Sequence, residues 1–179
     1  MNFNPSQNHR QSLRLQNYNY QQAGLYFVTI CSYEKEFLFG EIVNGEVKLN
    51  QFGKIVEKEW FNTPFLRPNI ELDTCVIMTN HFHGILHIHG SCITGADSRA
   101  HISAPLHRTS HSLGSIIAGF KSAATKKINE LRGTPRMPVW QRNYYENIIR
   151  DEESLQKMRE YILNNPTQWE LDEENPRRL

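Results

Sequence analysis

Apolar and polar positions along the chain repeat in blocks whose period switches between two, the mark of a strand, and about three and a half, the mark of a helix. Leu25-Tyr26-Phe27-Val28-Thr29-Ile30-Cys31 follows Gly24 and is dense in β-branched and aromatic residues, which predicts a buried strand. Phe37 to Val43 and Glu46 to Leu49 flank Asn44-Gly45, the strongest short hairpin signal. From Gln51 to about Phe65, Ile55, Val56, Trp60 and Phe61 recur at helical spacing until Pro64 and Pro68 mark the exit. Ile70 to Met78 and Phe82 to His89 read as two more strands, with Thr79-Asn80-His81 at the bend of a hairpin in the sheet centre. Residues 90–110 are polar and without period, so a long flexible loop is expected there. Ser112 then caps a helix to about Leu131, with Leu113, Ile116, Ile117, Phe120, Ala124 and Ile128 on one stripe. Val139 to Ile149 is expected to hold a last short strand, and Asp151-Glu152-Glu153-Ser154 places acids at the start of a helix, where they suit its dipole. Leu155, Met158 and Ile162 form that helix's buried side, and Pro166 disfavours helical backbone at Asn165. The charged tail beyond Trp169 is expected to be loosely held. This order predicts an α+β domain, an antiparallel sheet with helices packed on one face.

With 179 residues and 39% hydrophobic content the chain can bury one substantial core and is too short for two ordinary domains, so one domain spanning 1–179 is expected. No apolar run approaches the roughly 20 residues that span a bilayer, and Met1 to Gln11 is polar, which together predict a cytoplasmic protein with no membrane partner. Cys31, Cys75 and Cys92 are odd in number and lack Cys-x-x-Cys spacing, against both a disulfide framework and a thiolate zinc site. The formal net charge of +1 hides an uneven distribution. Residues 99–150 carry nine Lys or Arg against Glu130 and Glu146 alone, and Arg10 and Arg14 make the N-terminus basic, so a polyanion could meet a locally positive surface.

The chemistry concentrates in His81-Phe82-His83. On a strand, residues 81, 83, 85, 87 and 89 share one face and Phe82, Gly84, Leu86 and Ile88 the other, which looks like the core side. Two imidazoles on one face can hold a single metal ion, and burial of apolar surface does not explain them. Tyr161 and Asn165 are four apart, one helical turn, so the Asn165 amide oxygen could be a third ligand when the phenol is brought to the ion. Imidazole and amide oxygen with open positions suit Mg²⁺ or Mn²⁺ better than a closed zinc site. The plainer alternative packs Tyr161 beside Met158 and makes Asn165 a helix cap.

His81-Phe82-His83 resembles the His-hydrophobic-His motif of the HUH endonuclease superfamily. Trp140-Gln141-Arg142-Asn143-Tyr144-Tyr145-Glu146-Asn147-Ile148-Ile149-Arg150-Asp151-Glu152-Glu153, followed by Tyr161-Ile162-Leu163-Asn164-Asn165-Pro166, resembles the C-terminal signature of the REP-associated tyrosine transposases, relatives of the one-tyrosine insertion-sequence transposases. Leu13-Arg14-Leu15-Gln16-Asn17-Tyr18 before Gly24-Leu25-Tyr26-Phe27-Val28-Thr29-Ile30 is similar to that family's N-terminus, so the likeness spans roughly residues 12 to 168. It implies a ferredoxin-like, RRM-like fold and a substrate of single-stranded or hairpin repeat DNA, cleaved and rejoined through a 5′-phosphotyrosine with a divalent metal ion. His81 and His83 carry over as metal ligands, Tyr161 as nucleophile and Asn165 as third ligand. Arg14, Lys121, Lys126, Lys127, Arg142 and Arg150 are the candidates for following the DNA backbone. Relaxase or replication-initiator nicking, and a non-catalytic RRM-like nucleic-acid-binding module, are the alternative functions, and a homodimer is left open.

Overall fold

A computed structural model describes residues 23–90, 112–172 and 174–176. Their elements are β1 (Gly24–Cys31), β2 (Gly40–Val43), β3 (Glu46–Leu49), α1 (Gln51–Phe61), α2 (Thr63–Leu66), β4 (Ile70–Ile77), β5 (His81–Ile88), α3 (Leu113–Arg132), β6 (Tyr145–Ile149) and α4 (Glu152–Asn164), with 3-10 turns at Tyr33–Lys35 and Trp169–Leu171. The residues outside this description include Arg14 and, of the loop expected over 90–110, all but Gly90.

The caps explain most boundaries. The Asn50 side chain accepts from the Phe52 and Gly53 N–H groups to open α1. The helix stops at Phe61 rather than near Phe65, because Pro64 lacks the N–H an unbroken helix would need there, and α2 follows as a separate turn. Ser112 caps α3 through the Ser115 N–H, and Gly133 closes it at φ 66°. Asn44 and Gly45 take φ 54° and 77°, the positive pair a type I′ turn requires, so β2 and β3 form the expected hairpin as a separate two-stranded sheet.

The main sheet is antiparallel in the order β4-β5-β1-β6, which places β5 between two hydrogen-bonded neighbours. On one face Tyr26, Val28, Ile30, Phe82, Leu86 and Ile88 pack with Val56 and Trp60 of α1 and Ile116, Ile117, Phe120 and Ile128 of α3. Gly84 lies on this face beneath an indole: a Cβ there would stand 2.9 Å from Trp60 Cζ2 and 2.7 Å from Phe82 Cζ. These are the helices expected on one side. The opposite face is covered as well, by α4, whose Leu155, Met158 and Ile162 meet Leu25, Phe27, Val76, Ile85 and Ile149. Alternation along β1 and β5 puts apolar residues on both faces, and a sheet so patterned needs cover on both.

The segment after α4 departs from expectation. Rather than a loosely held tail, Trp169 meets Phe37 edge-on at 5.8 Å between centroids and lies 5.9 Å from the His81 ring, while Asp172 and Asn175 are buried. Two aromatic contacts anchor a stretch whose own composition carries no periodic signal. Among the described residues no helix is long and apolar enough to cross a membrane.

Candidate active site

His81 and His83 project from β5 on the α4 face of the sheet, both fully buried, with ring centroids 4.5 Å apart. Strand pairing sets what each touches. Thr29 of β1 stands directly opposite His83, and its Oγ1 is 2.8 Å from His83 Nδ1. Asn80, at the bend before β5, has its Oδ1 2.8 Å from His81 Nδ1. The orientation of that amide follows from its other end, where Nδ2 donates to the carbonyl oxygens of Lys35 and Glu174. Its Oδ1 can only accept, so His81 Nδ1 carries the proton and Nε2 of the neutral ring carries the lone pair. That Nε2 is buried without a hydrogen-bond partner.

Burial drives the His81 pKa down to about 4 against the opposing pull of the Asp172 and Glu174 carboxylates. Burial and then the neighbouring His81 push His83 well below its ordinary value. Both rings are therefore neutral at pH 7, the form that binds a metal ion.

Helix α4 brings the second half of the site. Asp151 caps its start through the Ser154 N–H. Its apolar stripe seats it on the sheet, and the Arg159 guanidinium forks onto Asp73 of β4 with contacts of 3.0 and 2.6 Å. Tyr161, 42% exposed, then places its hydroxyl 3.5 Å from His83 Nε2, with its ring 5.2 Å from the imidazole and 6.0 Å from Phe27. Asn165 caps the C-terminal end and is buried; its Nδ2 donates to Asp172 Oδ2 at 2.6 Å, and its Oδ1 is buried without a partner. The four side chains singled out for chemistry thus come together, as a cap and a ligand candidate at once in the case of Asn165.

Asp172 is the residue that sequence reasoning missed. Its carboxylate lies within 4.8 Å of ligating nitrogens of both His81 and His83, and all three residues are buried. Besides Asn165, it accepts the Glu174 N–H at 2.6 Å. The Lys35 ammonium pairs with Glu174 at 3.0 Å, which ties the turn after β1 to the segment after α4. An acid in an acidic tail carries no signal of this, whereas Asn80 and Thr29 could have been suspected as the histidines' sequence and strand neighbours. Two imidazoles, a carboxylate and an amide oxygen, with two buried lone-pair donors left unpaired, fit a divalent cation.

The basic residues divide. Lys121, Lys126 and Lys127 lie on α3, across the sheet from the histidines. Lys121 donates to the carbonyl oxygens of Gln141, Arg142 and Asn143, and burial pulls its pKa down to about 8. Lys127 pairs with the buried Glu59, and Lys126 is exposed, 3.9 Å from Glu130. Arg142 and Arg150 are exposed on either side of β6.

No family model matches the chain. An uncharacterized protein of Haemophilus influenzae is 44% identical over 178 residues, spanning 96% of each chain. This chain belongs to the same family. Among solved structures, a REP-associated tyrosine transposase bound to a REP hairpin aligns at TM-score 0.59 over 88% of this chain and 74% of its own, with 16% identity. The chain therefore has the fold of that REP-associated tyrosine transposase.

Proposed function

We propose that the protein is a metal-dependent DNA endonuclease and strand transferase of the transposase type, with Tyr161 as nucleophile. The observation that carries this is the Tyr161 hydroxyl 3.5 Å from His83 Nε2, at the edge of a pocket where His81 Nε2 and Asn165 Oδ1 are buried and unpartnered. A structural tyrosine would have no need of such neighbours.

His81 and His83 would hold a divalent ion, Mg²⁺ or Mn²⁺, with Asn165 and Asp172 contributing oxygen. Bound there, the ion polarises a phosphodiester oxygen and offsets charge in the transition state. Thr29 and Asn80 hold the two rings by their Nδ1 atoms, which leaves each Nε2 directed inward. Phe27 and the α4 stripe fix the Tyr161 ring while its exposed edge stays open to a nucleic-acid strand.

The phenol, ordinarily titrating near 10, gives up its proton as its oxygen bonds to phosphorus. The P–O3′ bond breaks, its electron pair leaves with the 3′-oxygen, and protonation there yields a free 3′-hydroxyl and a 5′-phosphotyrosine. Because one phosphoester replaces another, reversal by a 3′-hydroxyl rejoins strands without a nucleotide cofactor. The relative solved with a REP hairpin supports single-stranded or hairpin repeat DNA as substrate. Lys126, Arg142 and Arg150 are exposed, whereas Lys121 is held by backbone carbonyls and Lys127 by Glu59, so we assign the DNA backbone contacts to the first three. We assign the protein to the cytoplasm.

The test is a covalent adduct on a denaturing gel, with labelled single-stranded repeat DNA and Mn²⁺. Tyr161→Phe should abolish the adduct and preserve folding and DNA affinity, with Tyr144→Phe and Tyr145→Phe as controls that retain it. An adduct from Tyr161→Phe would overturn the assignment.

A further inference from the structure

Strand β5 repeats its histidine spacing. His87 and His89 follow His81 and His83 on the same strand face, with Ile85 between the pairs, and six residues of strand separate equivalent positions by about 20 Å. The second pair therefore cannot share an ion with the first. Its rings lie 4.1 Å apart between centroids. Glu71 of β4 stands directly across from His87, and its Oε2 is 3.0 Å from His89 Nε2. One ligating atom from each of the three residues falls within 4.8 Å of the others.

We propose that Glu71, His87 and His89 form a second divalent-ion site, selective for an imidazole-preferring ion of the zinc class. As a surface ion pair, His89 and Glu71 would contribute little to stability, and that reading leaves His87 without a role. As a ligand set the three are complete: two nitrogens and one carboxylate oxygen make a His₂Glu site with its fourth position open to water. The sheet builds it in advance, since positions i and i+2 share a face and register fixes the cross-strand partner. The ion would sit between His89 Nε2 and the Glu71 carboxylate, bound by the neutral imidazole that carries its hydrogen on Nδ1, any proton displaced from Nε2 passing to solvent.

Selectivity follows from the donors. Two imidazoles favour Zn²⁺ over Mg²⁺, which prefers oxygen and keeps its waters. Half-exposure at the end of the sheet lets the ion enter without opening the core. Binding would join the start of β4 to the end of β5 and to His89 just after it. Nothing here depends on the tyrosine chemistry.

The experiment is a calorimetric Zn²⁺ titration of the full chain at pH 7.5 in 5 mM Mg²⁺, comparing the native protein with His87→Ala/His89→Ala and with Glu71→Gln. The native chain should bind one equivalent more than the double variant, and Glu71→Gln should weaken that equivalent at least tenfold. Crystals soaked in zinc should show an anomalous peak between the three side chains. Equal zinc uptake by native and variant chains, or an anomalous map with no peak there, would overturn the proposal. DNA cleavage by His87→Ala/His89→Ala is read separately, so failure of this site and failure of the tyrosine assignment are distinguishable.

Discussion

Asn80→Ala tests whether the His81 ring is held in one orientation by its neighbour. The substitution removes an acceptor 2.8 Å from His81 Nδ1 and two donor contacts, to Glu174 O at 2.8 Å and to Lys35 O at 3.3 Å. Asn80 is fully buried, so at about 1 kcal/mol for each lost bond, plus the cost of unsatisfied groups left behind, stability should fall by about 2–4 kcal/mol. The ring would also lose the partner that selects its tautomer. Loss of such an orienting partner costs about 10- to 100-fold in ion affinity, or about 1.4–2.7 kcal/mol. Urea unfolding reads the first quantity and calorimetric titration with Mn²⁺ the second. Asn80→Asp separates them: it restores an acceptor to His81 Nδ1 without the donors, so ion affinity should recover while stability does not. A folded Asn80→Ala protein that binds Mn²⁺ as tightly as the native chain would refute the claim that this amide orients the ligand.

Gly84→Ala should cost about 1–3 kcal/mol in urea unfolding, since its methyl meets Phe82 and Trp60 inside 3 Å in a fully packed layer. The Arg159 guanidinium holds the Asp73 carboxyl down at about 2, so the pair stabilises the fold fully above the ordinary carboxylate value of 3.8 and the gain disappears as pH falls through 2. Asp73→Asn should accordingly lower stability by about 1 kcal/mol at pH 7 and converge with the native chain below pH 2 in acid titrations followed by circular dichroism. Lys126→Ala combined with Arg142→Ala and Arg150→Ala should weaken single-stranded DNA binding and flatten its salt dependence, measured by fluorescence anisotropy. Lys121→Ala should instead lower the urea midpoint and leave the salt slope unchanged, because its ammonium is spent on three backbone carbonyls.

What the sequence determined by itself is what local physics controls. Period two along β5 assigns His81 and His83 to one face and Phe82 to the other without any knowledge of the fold. Ser112, Asn44-Gly45 and Asp151 each satisfy backbone groups within a few residues, so they mark boundaries that the structure keeps, whereas Asn165 holds helical angles of φ −56° and ψ −42° although Pro166 follows it. One helical turn between Tyr161 and Asn165 is likewise a local fact. The tertiary structure decided what crosses the sheet or returns from far along the chain. That α3 and α4 lie on opposite faces separates Lys121, Lys126 and Lys127 from the histidines, although in sequence all of them belong to one basic stretch. The pairing of Thr29 with His83 depends on register between strands more than 50 residues apart. Asp172 reaches His81 and His83 because Trp169 and Glu174 find partners around Phe37, Lys35 and Asn80. Its own neighbours in sequence are polar and without period, and an isolated acid has no local geometry that could announce a ligand.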